Sequence, residues 1–171
     1  MESITYKPIG VIHSPYNDAD GVPIQPTAAN GCEGTVDIFP EYVEGLKDLD
    51  GFSHIILIYH FHLSKRYTLT VKPFLDNQER GVFATRAPAR PNAIGISVVE
   101  LLKIQGNRLL VRGLDVLNGT PLLDIKPYVP EFDSFKVKKI GWLQGNLKKL
   151  SSVRADTRFL NSQQENGLKQ G

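Results

Sequence analysis

The feature that most constrains this chain is a succession of short segments rich in valine, isoleucine and tyrosine, each closed off by glycine, proline or asparagine. Runs of this length and composition suit strands, whose pleated surface favours β-branched and aromatic side chains. They cover residues 4–6, 9–13, 34–39, 54–62, 67–73, 81–85, 95–104 and 108–116, with shorter candidates at 122–125 and 136–142. In the 95–104 run, Ile96, Val98, Glu100, Leu102 and Ile104 alternate with Ser97, Val99, Leu101 and Lys103. A strand points these two sets to opposite faces. Both sets carry apolar residues, as a closed or layered core requires. The turn pairs Gly106-Asn107 and Asn118-Gly119 favour an antiparallel barrel over a parallel sheet with crossover helices. The expected fold is all-β: a single antiparallel β-barrel domain over residues 1–143, with short helices.

Helical signals are few. Residues 41–46 suit a short turn of helix, and residues 147–160 place Leu147, Leu150, Val153 and Leu160 at helical spacing. Beyond Asn161 the chain is polar and glycine-containing. Residues 144–171 are therefore expected to form a basic helical and flexible C-terminal tail.

A length of 171 residues suits one domain with a core of its own. The one cysteine, Cys32, has no internal partner for a disulfide and belongs to no metal-ligand cluster. No apolar stretch is long enough to cross a bilayer, and residues 1–8 lack a basic region followed by an apolar block. The expectation is a soluble cytoplasmic protein, with no membrane and no metal. A formal net charge of +2 is too small to argue for nucleic acid, so that argument falls to local clusters. Arg80, Arg86 and Arg90 form one candidate rim. Lys136, Lys138, Lys139, Lys148, Lys149, Arg154, Arg158 and Lys169 form a second, opposed only by Asp156 and Glu165.

Three segments carry candidate chemistry. Residues 83–95 combine Arg86 and Arg90 with two prolines and end at Gly95, a stiff loop able to offer guanidinium forks to a carboxylate or phosphate. Surface ion pairs are the plainer reading of those arginines. His60 and His62 share one face of the 54–62 strand. Without a third donor at suitable spacing they suit backbone hydrogen bonds or a pocket wall better than a metal site. Residues 118–130 join the Asn118-Gly119-Thr120-Pro121 turn to Asp124, Lys126 and Tyr128. There the choice lies between a hairpin with an Asp124–Lys126 ion pair and a pocket wall with an aromatic able to stack on a base. Walker, GxGxxG, GxSxG and HExxH signatures are missing.

Taken together, residues 9–16, 50–55, 82–97 and 118–128 resemble the TrmO family, also described as YaeB, VirR-like or TsaA-like proteins. The resemblance runs from about residue 4 to residue 142. It implies an S-adenosylmethionine-dependent β-barrel methyltransferase, usually a homodimer with the cofactor near the subunit interface. The reaction it implies is methylation of the exocyclic N6 amine of a threonylcarbamoyl-modified adenosine beside the tRNA anticodon. Carried over by position, the cofactor contacts are Gln25, Pro26, Thr27, His62, Leu63, Arg86, Ile96, Asn118, Gly119, Thr120 and Pro121. The family often has aspartate at the position of Asn118. In the reading this suggests, Asp124 or a carbonyl near Tyr128 accepts an amine hydrogen while Tyr128 packs on the base, Arg86 or Arg90 orients cofactor or phosphate, and Arg90 and Lys126 contact the substrate. Bacterial members commonly carry a further C-terminal domain that grips tRNA; the expectation here is either that the basic 147–160 helix substitutes for it or that the substrate is another RNA or a small molecule. Two alternatives stand beside the enzyme: a non-catalytic sensor of S-adenosylmethionine or a nucleoside, and an RNA-binding β-barrel.

Overall fold

The computed structural model describes residues 3–18, 22, 23, 25, 31–149, 153–156 and 159. Its strands are β1 (Gly10–His13), β2 (Glu33–Ile38), β3 (His54–His60), β4 (Thr70–Val71), β5 (Arg80–Gly81), β6 (Ile94–Gln105), β7 (Arg108–Arg112) and β8 (Thr120–Pro127). Six of them close an antiparallel barrel in the order β1-β2-β7-β6-β3-β8, with β8 returning to pair with β1. β4 and β5 form a separate two-stranded ribbon between β3 and β6. The expected all-β barrel is the observed architecture.

Alternation explains what fills it. Ile12, Val36, Ile38, Ile55, Leu57, Val99, Leu109, Val111 and Leu122 point inward and are buried, each worth about 1.5–3 kcal/mol in removed apolar surface. Two irregularities alter the simple period of two. Between Leu101 and Lys103 the pairing of β6 with β7 shifts register, so Leu101 and Ile104 both pack on the core although alternation sets them on opposite faces. A matching shift beside Ile58 and Tyr59 leaves Leu123 of β8 without a partner. Leu122 and Ile125 then share the inner side, and Asp124 sits opposite Ile58.

Several expected elements come out shorter or different. Residues 4–6 form no strand, because β1 already has a neighbour on each side and barrel closure leaves no edge to extend. The 67–73 run contributes only Thr70 and Val71. After Gly81 the 81–85 run coils into a 3-10 turn, Val82–Ala84. Residues 136–142 are irregular up to another such turn, Gly141–Leu143. The short helix near 41–46 is a 3-10 helix, Pro40–Leu46. β7 stops at Arg112 because Gly113 takes φ 95°, a conformation open to glycine that turns the chain out of the ladder.

The helix expected over 147–160 is not formed in its described part. A 3-10 turn, Leu147–Lys149, is followed by non-helical residues 153–156, in which Arg154 makes a β-bridge with Pro23. Its apolar residues are used in another way: Phe159 packs on Val71, Val82 and Ala87 and meets the ring of Phe74 edge-on at 5.0 Å. Leu150, Arg158, Leu160 and residues 161–171 lie outside the described residues.

Candidate functional site

The barrel, the segment between β3 and β6, and Trp142, Leu143, Leu147 and Phe159 all contribute side chains to one shared space. Between them lies a cavity of about 680 Å³ with a predominantly apolar wall. Tyr59, Phe61, His62 and Leu63 enter it from the exit of β3, and Gly95 and Ile96 from the start of β6. The loop ahead of β6 supplies Phe83 to Pro88 and Arg90, and Asp115, Val116 and Leu117 close the floor after the Gly113 turn.

Local hydrogen bonds stiffen this loop. Thr85 Oγ1 donates to the carbonyl of Val82 at 2.8 Å, Ser64 Oγ to that of Pro88 at 3.0 Å, and Trp142 Nε1 to that of Ala84 at 2.8 Å. The three arginines expected to form one rim do three different things. Arg80 pairs with Asp76 at 2.7 Å, and Arg90 makes long contacts of 3.4 and 3.5 Å with the carbonyls of its own loop. Arg86 lines the cavity and donates to Gln25 Oε1 at 2.9 Å.

The floor holds a polar chain in apolar surroundings. Ser97 Oγ donates to Asp115 Oδ1 at 2.5 Å, and Tyr59 Oη lies 3.0 Å from Ser97 Oγ. With the serine hydrogen committed to the carboxylate, Tyr59 is the donor of the second bond. Burial pushes the Asp115 carboxyl up to about 6, against the opposing pull of the Ser97 bond, its own amide and the Arg86 charge. Burial likewise raises the Tyr59 phenol, helped by the charge on Asp115. Burial and then the charge of His60 lower His62.

Gln25, His62, Leu63, Arg86, Ile96 and Thr120, expected as cofactor contacts, all line this one cavity, and so does Arg90. Asn118, Gly119 and Pro121 belong to the adjoining turn but not to the wall, and Asn118 Nδ2 donates to Asn17 Oδ1 at 3.0 Å. Pro26 and Thr27 lie outside the described residues. Asp124, Lys126 and Tyr128 are not on the wall. Asp124 pairs with Lys126 at 2.7 Å, and the Tyr128 ring faces His54 at a centroid distance of 6.5 Å. Asp115, Ser97, Tyr59 and Trp142 escaped the sequence reading of the site. The available signal was Asp115 itself, a carboxylate inside the apolar run Leu114-Asp115-Val116-Leu117.

A model of the tRNA-methyltransferase O N-terminal domain matches residues 11–134. The chain belongs to this family. The match takes in the barrel and most of the cavity wall, while Trp142 and Phe159 fall beyond it. A probable S-adenosyl-L-methionine-binding protein of Pyrococcus abyssi is 60% identical over 91% of this chain and 85% of its own length. The human tRNA (adenine(37)-N6)-methyltransferase is 36% identical over 75% of this chain but only 31% of its own. Among solved structures, TrmO from Pseudomonas aeruginosa superposes with a TM-score of 0.69 at 38% identity, covering 82% of this chain and 63% of that one. The tRNA-methyltransferase O fold is thus shared, while this chain spans less than two thirds of the TrmO structure and about a third of the human enzyme.

Proposed function

We propose that the chain is an S-adenosylmethionine-dependent methyltransferase acting on the N6 amine of an adenosine in tRNA, the threonylcarbamoyl-modified adenosine beside the anticodon. The observation that carries this reading is the convergence of Gln25, His62, Leu63, Arg86, Ile96 and Thr120 on one apolar cavity within a fold whose relatives are named for binding S-adenosylmethionine or methylating tRNA. About 680 Å³ is a volume that holds a nucleoside-sized ligand, and few polar groups converging on an apolar wall is what orients one. The cofactor supplies the methyl group as an electrophile. The chain's residues orient and desolvate: Arg86 offers a fork to a carboxylate, and the aromatic and aliphatic wall excludes water.

The same reading takes the protein as cytoplasmic, where its tRNA is found, and as a homodimer. Phe83, Ile94 and Ile96 stand exposed beside the cavity, an apolar surface that a second subunit would cover. Asp124 and Tyr128 lie off the wall, so in this reading they and Lys126 meet the RNA rather than the cofactor. Lys136, Lys138 and Lys139 are exposed on the segment leading from β8 to Trp142 and would meet its phosphates.

A second reading is favoured by the relative at 60% identity, which is named for binding alone: a sensor that holds the cofactor without transferring its methyl group. Labelled methyl transfer into tRNA from cells with and without the threonylcarbamoyl modification separates the two. Transfer only into modified tRNA is expected. Tight cofactor binding without transfer would establish the sensor.

A further inference from the structure

Asp115 lines the cavity with only part of its surface open to solvent, yet among the described residues it makes no salt bridge. Its partners are neutral donors, the Ser97 hydroxyl and its own backbone amide. A carboxylate accepts about four hydrogen bonds, so it retains acceptor capacity. Enclosure in apolar surroundings leaves its charge poorly solvated, and the Arg86 side chain is turned to Gln25. A site built in this way gains most from a ligand with a fixed positive charge. A sulfonium is such a group, because unlike an ammonium it has no proton to lose when desolvated.

We propose that Asp115, held by Ser97 and through it by Tyr59, is the counter-ion of the cofactor's sulfonium, so that the cavity tells methyl donor from product by charge. The inference rests on the methyltransferase reading. In the transfer the methyl carbon bonds to the amine nitrogen and the electron pair of the broken C–S bond stays on sulfur. Sulfur becomes a neutral thioether, and the methylated amine sheds a proton to solvent. Asp115 then faces no cation, and the product is the weaker ligand.

The test is the affinity of the full chain for three probes, measured by calorimetry: S-adenosylmethionine, S-adenosylhomocysteine, and sinefungin, which places an amine-bearing carbon at the sulfonium position. Asp115→Asn is expected to weaken the two ligands cationic at that position by at least about tenfold and to leave the thioether within about twofold, the size of one well-placed charge contact. Ser97→Ala should move the same way by less. Equal loss for all three ligands would overturn the proposal, since it would mean pairing with the shared α-ammonium or a structural role. No loss would overturn it as well. A wild-type protein that binds none of the three would overturn the cofactor reading itself.

Should Asp115→Asn fail to fold, the wild-type ratio of donor to product affinity serves instead. It should hold steady above neutrality and fall as pH drops through about 6. The other titratable or charged groups acting on this carboxylate are Tyr59, Tyr16 and Arg86, with His62, Arg90 and Asp156 on the same wall. Both phenols are raised, and His62 would act on both ligands. A ratio flat down to pH 5 would overturn the proposal.

Discussion

The ring of Tyr59 lies across Gly95, in the space that any side chain at position 95 would have to occupy. Tyr59 Cζ and Cε2 and the tip of Phe61 all fall within clashing distance of a Cβ built there. The approach lets the phenol reach Ser97 two residues along β6. Gly95→Ala is expected to cost about 1–3 kcal/mol, the usual penalty of overpacking a core. Denaturant unfolding would measure it, and the smaller ring-free side chain of a Tyr59→Leu/Gly95→Ala double variant should recover part of the loss as a coupling term.

Asp115 makes stability depend on pH with a definite sign. Its folded-state value of about 6 lies above the ordinary 3.8 of an exposed aspartate, so between those limits the folded chain holds more protons than the unfolded one. Stability contributed by this residue is therefore largest at low pH and declines as pH rises through that window, by roughly 2–3 kcal/mol in all. Asp115→Asn removes the slope. In the ligand-free protein, its stability relative to wild type should climb between pH 4 and pH 8, and parallel curves would disprove the burial argument.

Trp142, the one tryptophan of the chain, lines the cavity and donates to the Ala84 carbonyl at 2.8 Å. Its emission should respond when the cavity fills. Titration with S-adenosylmethionine is expected to change intrinsic fluorescence saturably, and Trp142→Phe should abolish that signal. The lost hydrogen bond should also lower stability by about 1 kcal/mol.

Asp124 and Tyr128 lie off the cavity wall, and the proposed function assigns them to RNA rather than to cofactor. Asp124→Asn breaks an exposed pair with Lys126 and should shift stability by less than about 1 kcal/mol. In the proposed function, Asp124→Asn and Tyr128→Ala raise the KM for tRNA and leave cofactor affinity within about twofold. Loss of cofactor affinity in either variant would place these residues at the cavity after all, and unchanged tRNA kinetics would remove their role in substrate contact.

The barrel was legible because its signal is local. Strand period, β-branched composition and turn pairs such as Gly106-Asn107 are properties of neighbouring residues, and a strand's two faces follow from the period of two. The arginine-proline loop was legible for the same reason, since stiffness and charge sit side by side in 83–95. The extents of strands 67–73 and 81–85 were not, because the ribbon pairs only two residues on each side and its remainder is held by the Phe159 contact from far along the chain. In the described part of 147–160 the expected helix failed on the same point: Leu147 lines the cavity and Phe159 packs on the ribbon, instead of the two sharing a helical face of their own.

The sequence by itself determined an all-β antiparallel barrel, and only through its resemblance to a known family did it suggest Gln25, His62, Leu63, Arg86, Ile96 and Thr120 as cofactor contacts. Only the tertiary structure decided that Asp115, and not Asp124, faces that site. Asp124 and Asp115 are nine positions apart in similar apolar runs, and alternation alone gives no preference between them. The irregular pairing beside Leu123 sets Asp124 opposite Ile58, where it meets Lys126. The turn at Gly113 carries Asp115 beneath Ser97 and Tyr59, two strands that reach it only when the barrel closes. Gly113 permits its turn locally, but the bulge and the strands that meet Asp115 are set by long-range pairing, which no window of neighbouring residues contains.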